Sequence, residues 1–339
     1  MSSANITIEG LEYDIPDQVV TSEQIEEEIS ATMQRLKLPK GLLKSLTGIR
    51  ERRIWPENFT PEEIGTRVAR KVIDATGIPD DEIGCIINTS VSRNYIEPSV
   101  ACLIHGNLEL SPECLNFDIS NACLGFFTAI QILTLMIESG QIKYGLIVNG
   151  ETAGKLLNST IANLKKRNVT PDIYRRNFAA LTLGSGSVAM ILGHKNYSRT
   201  NHLINGIINL SDTRHSRLCL GRIDQMEADS TEIMKQGIKL ARKTWNIARS
   251  RLSNWSDESI DLYIPHQVSL KNIQELSRTL GLEMDKQQLS FMNYGNIGPA
   301  SIPLTLKLAE ENKRLKQGDH VALLGIGSGL NCSMMSLSW

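Results

Sequence analysis

Four stretches of this chain combine residue types and surroundings suited to acyl chemistry. Cys123 lies between an apolar strand ending near Ile119 and a long apolar helix beginning near Leu124, among the small or capping residues Ser120, Asn121, Ala122 and Gly125. A thiol there faces unpaired N–H groups and the positive end of the helix dipole, which lower its pKa and can also hold an oxyanion. The bland reading is that cysteine is a common small hydrophobe in cores. His266 closes the strand Leu262-Tyr263-Ile264-Pro265. The carboxyl end of a strand opens on the crevice where α/β sheets bind ligands, although satisfied structural histidines occupy such places too. Asn296 stands in NYGNIGPAS, too rich in glycine for a strand, with an ordinary Asn-Gly turn as the plain alternative. Gly325-Ile326-Gly327-Ser328-Gly329 lacks the strand–helix context of a dinucleotide site and the lysine of a phosphate loop. Such a bend instead brings a backbone N–H close to a reacting carbonyl. Together the four make a thiol-nucleophile acyl-transfer constellation, with a Cys/His/Asn hydrolase as competitor. The remaining cysteines, Cys85, Cys102, Cys114, Cys219 and Cys332, read as structural thiols; none forms a CxxC pair or a Cys/His ligand spacing, which argues against zinc.

The elements that must position these residues repeat once. GTRVARK at Gly65 resembles GIKLARK at Gly237, DEIGCIINTS at Asp81 resembles DESIDLYIPH at Asp257, and NFDISNACLG parallels SFMNYGNIGP. IESGQIKYGLIVNGET parallels RLKQGDHVALLGIGSG, and all four matches fall at offsets of about 172 to 178 positions. A repeat this long is a duplicated domain rather than a solenoid. Each copy reads as helix, apolar strand, helix, short strand, long apolar helix and closing strand. The first helix opens at Thr60-Pro61-Glu62-Glu63, a cap followed by Pro at N1 and first-turn acids; its counterpart follows Ser230. The strands Ile83–Ile87 and Ile260–Ile264 are apolar without alternation, which predicts a sheet covered on both faces. The helices Leu124–Ile137 and Ile302–Leu308 are apolar all round, which predicts burial between layers. The expected fold is therefore α/β, two duplicated halves stacked as α-β-α-β-α, with one half in residues 1–195 and the other in 196–339. Hence Cys123 and Asn296 are expected to face each other across a pseudo-twofold axis. Residues 151–230 break the pattern, with Pro171 interrupting a charged helical stretch. They read as an insertion beginning near 151, either a lid or tunnel wall or a solvated excursion.

The chain has 339 residues, and its 36 Lys+Arg against 37 Asp+Glu leave a net charge of −1. That balance lacks the basic surplus of a nucleic-acid protein, and 5% aromatics provide no stacking platform for bases. The start, MSSANITIEG, has no basic leader with an apolar run, and no stretch approaches the roughly 18 apolar residues of a membrane span. A reducing cytoplasm with free thiols is the expected setting.

At these residues the sequence resembles the thiolase superfamily, in its ketoacyl synthase III-like branch. The resemblance rests on TGIRERRIW at Thr47, DISNACLGF at Asp118, the histidine of IPHQ, GNIGPAS at Gly295 and LLGIGSGLN at Leu323, in family order over nearly the whole chain. It implies a five-layered homodimer that makes carbon–carbon bonds by Claisen condensation of acyl thioesters. Cys123 would be the acylated nucleophile, His266 and Asn296 the holders of the second substrate's carbonyl or enolate oxygen, and the N–H groups of Cys123 and Ser328 the first oxyanion hole. Glu97, in NTSVSRNYIEPS, resembles a glutamate of the enzymes that join two acyl-CoAs head to head in bacterial olefin biosynthesis. It would reach across the dimer interface and act as base. Without the resemblance it reads as a surface carboxylate. Leu42 and Leu46 replace the Trp and Arg that grip the CoA adenine in many synthase III enzymes, which leaves the CoA-binding residues unassigned. The implied reaction couples two fatty acyl-CoAs to a β-keto acid without a metal or redox cofactor. The alternatives are decarboxylating synthesis from malonyl-acyl carrier protein, and acyl transfer to O, N or water.

Overall fold

The computed structural model describes residues 5–339. Nine strands form its main sheet: Ile6–Asp14 (β1), Ile83–Asn88 (β2), Leu115–Asp118 (β3), Tyr144–Glu151 (β4), Gly186–His194 (β5), Leu203–Ser211 (β6), Leu262–Pro265 (β7), His320–Gly327 (β8) and Asn331–Ser338 (β9). They hydrogen-bond in the order β7-β8-β9-β6-β1-β5-β4-β2-β3. The two halves have one plan. In the first, β3, β2 and β4 run parallel and β4, β5 and β1 antiparallel. In the second, β7 and β8 are parallel and β8, β9 and β6 antiparallel. The halves meet edge to edge at the pairing of Thr7 with Leu203.

Six helices cover these strands: Pro61–Thr76 (α1), Val100–Leu108 (α2), Gly125–Glu138 (α3), Ser230–Arg251 (α4), Leu270–Leu280 (α5) and Ser301–Glu311 (α6). Successive side chains of a strand point to opposite faces, so each strand divides its residues between two cores. Ile87, Ile147, Ile264 and Leu323 join one core with Phe126, Phe127 and Ile130 of α3 and Leu304 and Leu306 of α6. Their neighbours Ile86 and Leu146 pack outward on Val68, Val72 and Ile104 of α1 and α2. Tyr263 and Leu324 pack outward on Leu240, Trp245 and Leu280 of α4 and α5. The layers therefore run α1/α2, sheet, α3/α6, sheet, α4/α5, as the duplication predicts. Each fully buried Leu, Ile or Phe contributes about 1.5–3 kcal/mol, which is why the buried positions of α3 and α6 are mostly apolar.

Local signals set the helix ends. Thr60 Oγ1 accepts from the Glu63 N–H, the Glu63 carboxylate accepts from the Thr60 N–H, Pro61 is the first helical residue, and Gly77 ends α1 at φ +61°. In α4 the cap is Asp229, one residue before the expected Ser230.

The interval 151–230 is not a single insertion. The helical segments Gly154–Leu164 and Pro171–Asn177 do leave the body, packing with Ser22–Glu28, Ser30–Arg35 and Leu42–Thr47 in a separate cluster. Residues 186–211, however, hold β5 and β6, two interior strands. Pro171 does not break a helix but opens one, with Thr170 as its cap. The repeat hides these strands because the 154–182 excursion separates β4 from β5, whereas β8 turns directly into β9. No constant offset aligns both pairs. Among the described residues no helix is long and apolar enough to cross a membrane.

Close backbone approaches leave some glycines no alternative. A Cβ on Gly184 would lie 1.9 Å from the Tyr294 carbonyl oxygen, where no rotamer change relieves it. We expect Gly184→Ala to cost more than about 2 kcal/mol in chemical denaturation. Gly106→Ala, in open space on α2, should be neutral or stabilising by up to about 1 kcal/mol.

Candidate active site

Cys123 sits in a single 3-10 turn, Ala122–Leu124, between β3 and α3. Ala122 has φ +43°, a left-handed conformation that costs a non-glycine residue and that recurs where a side chain must be aimed. Asn331 Nδ2 donates to Asn121 Oδ1 at 2.8 Å and Asn121 Nδ2 to Thr128 Oγ1 at 2.9 Å, fixing the turn to β9 and α3. The glycine bend closes on it from the other half. A Cβ on Gly325 would lie 2.5 Å from Leu124, and one on Gly327 would lie 3.5 Å from the Cys123 amide nitrogen. The end of β8 thus lies against the backbone of the Cys123 turn, most tightly at Gly325.

His266 follows β7. Its N–H donates to the Leu324 carbonyl at 2.7 Å, pinning the residue beside β8. The side chain is buried, and Nδ1 has no hydrogen-bond partner. Asn296 is held by an interlocked pair of loops: its N–H donates to the Thr182 carbonyl at 2.9 Å, and its carbonyl accepts from the Gly184 N–H at 3.0 Å. The Gly298 N–H donates to Asn296 Oδ1 at 3.0 Å, which leaves the Nδ2 amide as the half of the side chain free to donate.

These residues come together. Cys123, His266, Asn296 and Ser328 line one cavity of about 150 Å³, whose wall is mostly apolar, with Ile233, Ile238 and Met334 among its residues. A second cavity of about 700 Å³ shares Cys123, Asn296 and Ser328 and extends past Glu151 toward Ser92 and Ile223. Cys123 thus stands where two cavities meet. Glu97 lies in neither: it is exposed, on the loop that leads into α2.

Burial sets the electrostatics. Desolvation pushes the Cys123 thiol up to about 12, with smaller pushes in the same direction from Cys219 and Glu151. This corrects the expectation of a depressed thiol. The local amide does favour thiolate, but removal from water outweighs it. Desolvation alone carries His266 down to about 4, so its ring is neutral at physiological pH.

Two residues of the site were not singled out by sequence. Cys219, in the hairpin Cys219–Gly221/Met226–Ala228, lines both cavities, and the Ser328 hydroxyl lies within hydrogen-bonding reach of its thiol. Glu151, at the end of β4, is buried beside Cys123, and burial raises its carboxyl. The signal for Glu151 was present: the duplicated segments align it with Ser328. Among the described residues no group of three His, Cys, Asp or Glu side chains is placed to hold a metal ion.

Comparisons with known proteins agree with this arrangement. Residues 117–206 match the family model of 3-oxoacyl-[acyl-carrier-protein (ACP)] synthase III, and residues 251–339 match that of its C-terminal region. The chain is 38% identical over 335 residues to an acyl-CoA:acyl-CoA alkyltransferase of Xanthomonas campestris pv. campestris, covering 99% of both. It is 35% identical to one of Shewanella oneidensis over the full length of both, and 28% identical to a beta-ketoacyl-[acyl-carrier-protein] synthase III of Natranaerobius thermophilus. A cysteine-to-serine variant of Xanthomonas campestris OleA, crystallised with lauric acid and lauroyl-CoA, superposes with a TM-score of 0.97 at 38% identity over 99% of this chain and 100% of that one.

Two measurements follow from the burial. In the resting protein Cys123 should react with iodoacetamide more slowly than a free cysteine at pH 7, and the rate should climb steadily with pH. A plateau near pH 7 would show a thiolate already formed. For His266 the folded pKa lies below the unfolded value, so the unfolded chain takes up the proton first. The site therefore loses folding stability as pH falls from about 6.5 toward about 4 and is unaffected above. The denaturation midpoint should fall less across that window in His266→Asn than in the unaltered protein. Nitrogen chemical shifts of a protonated ring at pH 6 would contradict the assignment.

Proposed function

The chain belongs to the 3-oxoacyl-[acyl-carrier-protein] synthase III family of acyltransferases, with the thiolase fold, and from that premise we propose that it couples two fatty acyl-CoAs head to head into a β-keto acid. The observation that carries this reading is the meeting of two cavities at Cys123. An acyl chain on the sulfur has one cavity to occupy while a second acyl thioester enters by the other. The full-length likeness to acyl-CoA:acyl-CoA alkyltransferases supports the same choice over decarboxylating synthesis.

The Cys123 sulfur attacks the first acyl-CoA. The carbonyl oxygen lies against the N–H groups of Cys123 and Ser328, and the neutral His266 ring takes the thiol proton and passes it to the departing CoA thiolate. The ring is then neutral again when the second acyl-CoA arrives. Its N–H and the Asn296 Nδ2 amide hold the second carbonyl oxygen. Glu97 of the opposite protomer removes the α-proton. The resulting enolate attacks the acyl-Cys123 carbonyl, forming the carbon–carbon bond and expelling the Cys123 thiolate, which recovers a proton from Glu97. Water then cleaves the β-ketoacyl-CoA to the β-keto acid and a second CoA. Every proton and electron pair in this scheme moves among thioesters, side chains and water, so it employs no metal or redox cofactor.

The base belongs to a homodimer in this reading. Glu97 is carried on a loop whose apolar residues stand in solvent, with Ile96 94% and Tyr95 56% exposed. A second copy of the chain covering them would bring Glu97 toward the other protomer's Cys123. CoA is the donor we favour, with acyl carrier protein as the alternative, and a reducing cytoplasm suits a thiol nucleophile.

Lauroyl-CoA alone should yield free CoA and a coupled β-keto product. Glu97→Ala should keep the stoichiometric acyl-Cys123 adduct, seen by mass spectrometry, while coupling falls by about 10²-fold or more. Carbon dioxide release that requires a malonyl thioester and survives Glu97→Ala would instead indicate decarboxylating synthesis. An acyl-Cys123 adduct without coupled product would indicate simple acyl transfer.

A further inference from the structure

The loop that carries Glu97 is fastened at both ends by carboxylates, Glu151 buried and Asp118 half-buried. At its start, Glu151 Oε1 accepts from the Val91 N–H at 2.8 Å and from Asn149 Nδ2 at 3.1 Å. Glu151 Oε2 accepts from the Ser92 N–H at 3.1 Å and from Ser92 Oγ at 2.7 Å. Ser92 Oγ in turn accepts from the Thr152 N–H at 3.0 Å, closing the joint between loop and β4. At the far end Asp118 accepts from the Val100 N–H at 3.0 Å and the Ala101 N–H at 2.9 Å, where α2 begins. Asn88 links the two ends: Nδ2 donates to Asp118 at 3.0 Å, while Oδ1 accepts from Ser90 Oγ at 2.5 Å. Between the fastenings residues 94–98 are exposed.

Glu151 is only 6% exposed, and its two oxygens already receive four donors. A carboxylate so engaged has no vacant lone pair with which to take a substrate proton. Its four bonds end on the loop and on its own strand, none on Cys123. A buried carboxylate is expensive to keep, and here it holds two successive amides of an otherwise solvent-borne segment.

We propose that Glu151 is a positioning residue that acts through the 91–99 loop, setting how far Glu97 of the same chain reaches into the opposite protomer's site. The inference rests on the reading of Glu97 as a base delivered across a dimer. If it holds, Glu151 serves the other protomer's Cys123 rather than the one beside it.

Mixed dimers carrying two different affinity tags test this. The reference pairs a Cys123→Ala protomer with a Glu97→Ala protomer, which leaves one site composed of Cys123 from one chain and Glu97 from the other. Coupling of lauroyl-CoA by this reference is expected. A silent reference would overturn delivery of Glu97 across the dimer, and this inference with it. With the reference active, Glu151→Gln is added to one chain at a time. On the chain that supplies Glu97, coupling should fall by about tenfold to a hundredfold, with the acyl-Cys123 burst unchanged. On the chain that supplies Cys123, where Glu151 lies beside the thiol, coupling should fall at least about threefold less than in the first placement. Equal loss in both placements, loss only beside Cys123, or no loss in either overturns the proposal. If Glu151→Gln fails to fold, Ser92→Ala removes one donor from the joint and should give a smaller loss with the same asymmetry.

Discussion

The site depends on one close approach: the glycine-lined end of β8 lies against the turn that carries Cys123. Cys123 and the bend belong to different halves of a duplicated chain, and a side chain at Gly325 would crowd Leu124 and Phe127, with its Cβ 2.5 and 3.0 Å from them. Because the halves are copies of one plan, the carboxyl ends of β2, β4, β7 and β8 converge on one region. The first copy places Cys123 and Glu151 there, and the second places His266, Asn296 and Ser328. Neither half contains a complete set. The five-layered body is the scaffold for this convergence, with α3 and α6 buried between the sheets so that their leading turns meet.

Desolvation is the second constraint, and it decides protonation. The same apolar walls that suit an acyl chain keep the Cys123 thiol protonated and the His266 ring neutral at rest. A neutral ring donates an N–H to an enolate oxygen without adding a full charge to the cavity. A protonated thiol at rest waits for its substrate instead of reacting with other electrophiles. In the proposed reaction the cost is that the thiol proton must move during acylation, for which His266 is the neutral group that shares the cavity.

Much of this was legible in the sequence, for reasons that differ by residue. Cys123, His266 and Ser328 stood out in the sequence because each follows a strand, and Asn296 because the duplication sets it opposite Cys123; the structure brings all four to one cavity. The layering was legible because the stretches Leu124–Ile137 and Ile302–Leu308 are dominated by apolar residues. The antiparallel strands β5, β6 and β9 were not, because an excursion of two helices shifts the register between copies just before β5. The thiol pKa was misjudged because the helix terminus is a local feature of sequence, whereas the envelope that desolvates the sulfur comes from segments as distant as 219–234. Glu151 was passed over because a carboxylate at a strand end has no signature until its four donors are seen, although its alignment with Ser328 marked the place. Glu97 is the reverse case. Its resemblance singled it out, yet within one chain it stands in solvent, away from the residues it would serve.

The central claim is that Glu97 of one protomer acts on a substrate held by His266 and Asn296 of the other. A crystal structure of the Cys123→Ser protein with bound acyl-CoA tests it most directly. The account predicts a dimer with a Glu97 carboxylate oxygen about 3–3.5 Å from the acyl α-carbon, and His266 and Asn296 donating to the thioester oxygen. A structure in which Glu97 remains in solvent, with the α-carbon facing only residues of its own protomer, would contradict it.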